Sequence, residues 1–247
     1  MTEYRAPVSE TIFILFDVLD ISRYASLDGF GDLSSDVVRD ILSQVAQFSE
    51  KALHPLSQEG DRHGCIWHAD GAVTTPPGFP GAYRELVAAG WPGAAGPAEF
   101  GGGGLPHVIG FAYLEYMWAA NPGFAMHASH LGHAAVLRAH GTARQRATYG
   151  PHLVAGDWAG AMAMTEPQAG TDLGLIRTRA ADHGDGSYRI TGTKIFISGG
   201  EHDMAENIIH FVLARIEGAP AGAKGLSLFL VPKLLPAPMV VPPSATG

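Results

Sequence analysis

The sequence predicts an α+β fold, with its helices gathered first and its strands second. Three observations carry this. Apolar residues recur at helical spacing up to about residue 156, and from Trp158 onward they fall into short runs set off by turn residues. The two regimes also do not alternate. Alternation would indicate a doubly wound parallel sheet, so segregation argues for an N-terminal all-helical domain followed by an antiparallel β-domain, with the boundary near residue 156.

Ile12, Phe13, Phe16, Leu19 and Tyr24 sit near helical spacing in residues 8–24. Ser34 and Ser35 can cap a second helix, whose stripe is Val38, Ile41, Leu42, Val45, Phe48 and Leu53. Pro76, Pro77 and Pro80 punctuate a loop before a short helix over 83–89, which Gly90 ends. The glycines of 101–104 precede an apolar segment over 108–120. After Asn121-Pro122-Gly123 a small-residue helix is expected over 124–139, stopped by Gly141. Thr142 and Gln145 fit a capping box for a further helix, expected to break near Gly150-Pro151. Asp185-Gly186 is a hairpin turn between strands at 179–182 and 188–190. A turn at Thr191-Gly192 leads to an extended stretch over 194–197, and strands follow over 208–215 and 226–231. The Pro-rich stretch 234–247 gives the last strands no partner, so the β-domain is expected to be incomplete within these residues.

Sixteen basic residues against 24 acidic give a net charge of −8, with no basic run. That balance argues against a nucleic-acid or anionic-membrane surface. Cys65 is the lone cysteine, which excludes an intrachain disulfide and a cysteine-rich metal site. Residues 1–10 lack the pattern of a secretory leader, and the apolar run 12–16 is too short to span a bilayer. The expectation is a cytoplasmic protein without membrane insertion.

Several chemistries lack their residues. The 101–104 glycines are not followed by Gly-Lys-Ser/Thr, and no Gly-x-Ser-x-Gly elbow occurs. His127, His130 and His133 fall near one helical face with His140 beyond, but no carboxylate joins them, so packed histidines are favoured over a metal site. Cys65, in "HGCIW", has no activating context. Two stretches resist dismissal. "AMAMTEPQAGTDLG" (161–174) carries Thr165 and Thr171 around Pro167 and Gly170; "GTKIFISGG" (192–200) pairs a flat apolar Phe196 with the Ser198 hydroxyl. Hairpin ends would explain the glycines but not the paired hydroxyls. A flat heteroaromatic ligand with hydrogen-bonding edges, such as an isoalloxazine, would suit both.

At these residues the chain resembles the acyl-CoA dehydrogenase family. "AMTEPQAGTD" (163–172) is similar to the family's first signature, with Leu175 departing where a small residue is expected. "TDLGLIRTRA" (171–180) and the stretch 192–233 resemble the subfamily that includes 3-methylthiopropionyl-CoA dehydrogenases. "YRAPVSETIFIL" (4–15) resembles that subfamily's N-terminal extension. The resemblance implies an extension over 1–33, a helical domain over 34–156 and part of a middle β-barrel over 157–247, with a C-terminal four-helix domain that these residues do not include. It implies FAD as cofactor, held by Met162, Met164, Thr165, Gly170, Thr171, Phe196, Ile197 and Ser198. Thr171 would also touch acyl-CoA; Phe196 stands where many members have Trp, and Ser198 where Thr commonly bonds near flavin N5.

The implied reaction is α,β-dehydrogenation of an acyl-CoA thioester, with electrons passed on to an electron-transfer acceptor and the protein working as a homo- or hetero-oligomer. The family's base is a glutamate of the C-terminal domain. No catalytic residue and no metal ligand is therefore assigned here, Glu166 is not promoted to base, and the chain alone is expected to be inactive. A non-catalytic partner subunit and an acyl-CoA oxidase are the alternatives.

Overall fold

The computed structural model describes residues 3–128 and 131–236. The helices come first: α1 (Val8–Phe13), α2 (Ser35–Phe48), α3 (His54–His63), α4 (Phe79–Ala88), α5 (His107–Ala120), α6 (Pro122–Ala128), α7 (Leu131–His140) and α8 (Ala143–Ala155). A short hairpin, β1 (Ile66–Trp67) and β2 (Val73–Thr74), interrupts them. Then follow β3 (Trp158–Ala163), β4 (Arg179–Asp182), β5 (Tyr188–Thr191), β6 (Asn207–Ile216) and β7 (Leu226–Pro232).

The helical part is organised around α5. Its residues are apolar on nearly every side; Ile109, Tyr113, Tyr116 and Met117 are buried against the other helices, while Phe111 and Trp118 stay exposed on the opposite side. The stripe of α2 packs on it through Val38, Leu42 and Val45. Ser34 caps α2 by accepting from the Val37 N–H at 3.3 Å. Asn121 starts α6, its Oδ1 accepting from the Phe124 N–H while its Nδ2 donates to the Leu53 carbonyl.

Several expectations are corrected. The N-terminal segment is not one helix: α1 passes into a π-helical turn (Ile14–Val18), and Asp20 adopts a left-handed φ of 46° before a 3₁₀ turn (Ile21–Tyr24). The helix expected over 124–139 is covered by α6 and α7; Ser129 and His130 between them lie outside the described residues. The capping box at Thr142 and Gln145 is present, but α8 does not break at Gly150-Pro151. It runs on to Gly156, whose φ of 85° ends it, because Leu153 and Val154 are buried beyond the proline. Gly150 serves packing instead: a Cβ there would lie 2.6 Å from the Phe100 ring.

The main sheet has the order β3-β6-β4-β5, with β7 on the other flank of β6. It is a mixed sheet rather than a wholly antiparallel one. β7 pairs β6 antiparallel from Ile209↔Pro232 to Arg215↔Leu226, and β4 pairs β5 antiparallel through the expected Asp185-Gly186 hairpin. β3 runs parallel to β6 (Trp158↔Asn207 to Ala163↔Val212), and β4 continues along the same flank in the same direction (Arg179↔Arg215). The chain leaves β3, makes the 164–178 excursion and resumes the flank without reversing, which is why these two pairings are parallel. The stretch 194–197 is a loop. Leu137 and Leu153 pack on Ile209 and Phe211, joining the last two helices to the sheet.

Candidate functional site

Two loops at one end of β3 meet. The first is the excursion after Ala163. There Glu166 and Ala169 exchange both backbone hydrogen bonds, at 2.9 and 3.0 Å, so Pro167 and Gln168 form the tip of a tight turn. The second runs from Lys194 to Gly200. The Ile195 N–H donates to the Thr165 carbonyl at 3.0 Å, and Lys194 Nζ donates to the Met164 carbonyl at 2.9 Å. Met164 and Thr165 are thereby set beside Phe196, Ile197 and Ser198.

The joint is locked by Glu166, which is only 3% exposed. Its carboxylate accepts from the Arg177 and Thr178 N–H groups at 2.7 and 2.9 Å, the Thr178 hydroxyl at 2.5 Å, Gln168 Nε2 at 2.5 Å and Lys194 Nζ at 3.0 Å. Burial alone would push its pKa up. The hydrogen bonds from Thr178, Arg177 and Lys194 outweigh that and hold it at about 2. Such a carboxylate is a permanent anion with every lone pair engaged, and no poised base. Arg177, in the same excursion, meets it through its backbone N–H; the countercharge comes from Lys194, 28 positions on.

Phe196 is the outlier. Its φ is 58°, a left-handed conformation that costs a bulky residue about 1–2 kcal/mol, and its ring is 88% exposed. Ile197 points the other way and packs on Ala159, Ala161 and Ile208, while Ser198 is exposed. Met164 is exposed and Thr165 half-buried. Met162 packs its side chain against the Leu137, Leu153 and Phe211 cluster, leaving its backbone as its share of any binding wall. Gly170 and Thr171 are exposed past the turn, and a Cβ at Gly170 would meet nothing within 4 Å.

The histidines do not gather. His133 lies against Phe211 and under Gly160, His127 lies near His202, and His130 is outside the described residues. Among the described residues no group of three or more His, Cys, Asp or Glu could hold a metal ion. No helix of the described residues is long and apolar enough to cross a membrane.

Family models match in chain order: the acyl-CoA dehydrogenase N-terminal domain over residues 35–157 and the acyl-CoA dehydrogenase middle domain over 161–245. The chain belongs to the acyl-CoA dehydrogenase family. It is 41% identical to the 3-methylmercaptopropionyl-CoA dehydrogenase of Ruegeria pomeroyi over 94% of this chain and 40% of that protein. It is 36% identical to a broad-specificity linear acyl-CoA dehydrogenase of Mycobacterium tuberculosis, over 95% of this chain and 39% of that one. Among solved structures, the butyryl-CoA dehydrogenase of Megasphaera elsdenii superposes with a TM-score of 0.63 at 27% identity, covering 82% of this chain and 49% of that one. An acyl-CoA dehydrogenase of Bacillus anthracis solved in complex with FAD gives 0.62 at 26%, covering 81% and 31%. The chain thus spans about 40% of the length of these two curated relatives.

Sequence reasoning missed Lys194, Thr178 and the His127–His202 contact. Residues 161–174 carry Glu166 and Asp172 and no basic residue, which pointed to a cation from elsewhere in the chain; its position was not readable.

Proposed function

We propose that residues 1–247 supply the flavin-facing part of an FAD-dependent acyl-CoA dehydrogenase, with residues 1–33 as an extension, 34–156 as the helical domain and 157–247 as part of the β-domain. The observation that carries this reading is the strained, exposed Phe196 ring fixed beside the Met164–Thr165 backbone. FAD, when bound, would supply the acceptor for the hydride leaving the substrate β-carbon. Phe196 gives a flat wall for the ring system and excludes water from one face. Ser198 and Thr165 present hydroxyls to its polar edge, Met162, Met164 and Ile197 contribute backbone groups, and Gly170 lets the chain come close. Thr171 stands ready for a phosphate of the cofactor or of acyl-CoA.

The α-proton must go to a carboxylate, made possible by hydrogen bonds that stabilise the enolate-like oxygen. Glu166, anionic to about pH 2 and saturated with donors, does not take that role. We place the base outside residues 1–247, so this chain alone should bind flavin weakly or incompletely and turn over no substrate. An electron-transfer acceptor would reoxidise the flavin, and the working protein would be an oligomer.

Titration of FAD into the protein, alone and with a polypeptide supplying the C-terminal domain of a relative, tests this through quenching of flavin fluorescence. Anaerobic addition of an acyl-CoA should then bleach the flavin in the complemented sample. No retained flavin in either sample would overturn the proposal. Rapid oxygen consumption with acyl-CoA would instead identify an oxidase.

A further inference from the structure

The turn that follows the ring-facing segment is held from two sides by histidines that the reaction does not use. Gly199, buried and at a φ of 65°, lies between them. A Cβ placed on it would come 3.0 Å from His127 Nδ1, on α6, and 4.0 Å from His202 Cδ2, on the turn itself. The two rings stand 5.8 Å apart at 59°. His202 is 2% exposed, and its Nδ1 accepts from the Met204 N–H at 3.2 Å. In the neutral ring the proton therefore sits on Nε2, and that atom is buried without a partner among the described residues, as is His127 Nδ1.

We infer that His127 and His202 are positioning residues for the segment 196–198, closing on Gly199 as a neutral pair and so holding Phe196 in its strained, outward conformation. The inference rests on the flavin reading for what the segment faces, but not for how it is held. A strained residue persists only where its surroundings over-determine it, and this turn is pinned repeatedly. The Gly200 carbonyl meets His210 Nε2 at 2.7 Å, and Asp203 Oδ1 accepts from the Thr75 N–H and hydroxyl at 3.0 and 2.6 Å. Of these ties, only the two imidazoles flank the glycine next to Ser198.

Charge would open the clamp, because an added proton on His202 Nδ1 would displace the Met204 N–H and bring two cations together in a dry interface. The facing groups agree. Glu201 and Asp203 would favour a charged ring, but Glu201 is paired with Lys233 and Asp203 is occupied by Thr75, while Lys233 and His127 oppose it. Burial is the largest influence, and it lowers both imidazoles, His202 to about 4.

NMR of the full chain, labelled in histidine and phenylalanine rings, tests this over about pH 8 to pH 4 without flavin. His202 should be the Nε2–H tautomer at neutral pH. His127 and His202 should stay neutral below the ordinary 6.5, and the Phe196 signals should move in step with those two rings. H202N, whose side-chain oxygen can still accept from Met204, should leave Phe196 in place at neutral pH and reduce the acid-induced movement. A Phe196 signal indifferent to both rings, or either ring charging at its ordinary value, overturns the inference. If H202N fails to fold, the wild-type titration still decides. A clamp that behaves as described while FAD leaves Phe196 untouched would refute the flavin reading and not the clamp.

Discussion

Replacing Glu166 by Gln should be among the most damaging single changes in this β-region. The amide keeps the shape but turns one acceptor oxygen into a donor, facing either the Thr178 N–H at Oε1 or the Arg177 N–H at Oε2, and it leaves Lys194 largely buried without its countercharge. Removing one member of a buried pair costs about 3–5 kcal/mol. The wild-type titration gives an independent figure. A carboxyl held at about 2 instead of 4.5 contributes about 3 kcal/mol to stability. The folded value is the depressed one, so this contribution is fully present above pH 4.5 and is lost as pH falls toward 2. Urea unfolding of E166Q at neutral pH should therefore show a loss of about 3–5 kcal/mol. The mutant's stability should also lack the wild-type component that falls between pH 4.5 and 2. The double variant E166Q/K194M should recover part of the loss. A loss of less than about 1 kcal/mol, or a double variant no better than the single one, would refute the lock as described.

Three further outcomes are expected. F196G should raise the stability of the flavin-free chain by about 1 kcal/mol by relieving the left-handed strain, while weakening FAD binding; paired unfolding and flavin titrations check both halves. G160A should cost about 1–3 kcal/mol in urea unfolding, because its Cβ would sit 2.5 Å from the His133 ring. H133F should flatten the pH dependence of stability between 6.5 and 4. Burial lowers His133 to about 4, so its stability contribution is complete above 6.5 and declines as pH falls through that window; thermal melts across pH measure it.

The broad plan was legible because it depends on local signals. The serine and threonine caps, the apolar stripe of α2 and the Asp185-Gly186 hairpin each work through neighbours within a few residues, and each is where the spacing puts it. The parallel pairing of β3 and β4 with β6 was not legible, since strand direction is set by how an excursion returns and not by composition. Pro151 misled for a related reason: burial of Leu153 and Val154 outweighs a lost backbone bond that local rules treat as decisive. At the site, residue types pointed to the two loops. They could not show that Met162 faces the helices, that Lys194 answers Glu166, or that His202 meets His127, because those partners are distant in the chain and meet only on folding.

The tie between Thr75 and Asp203 spans 128 positions of chain. Closing so wide a loop is slow, and it cannot be rewarded until both ends have formed. Holding the turn behind Phe196 in this way thus requires the Thr75 segment to be in place. The same tie joins the Phe196 turn to the helical part of the chain, so loosening either end releases the other.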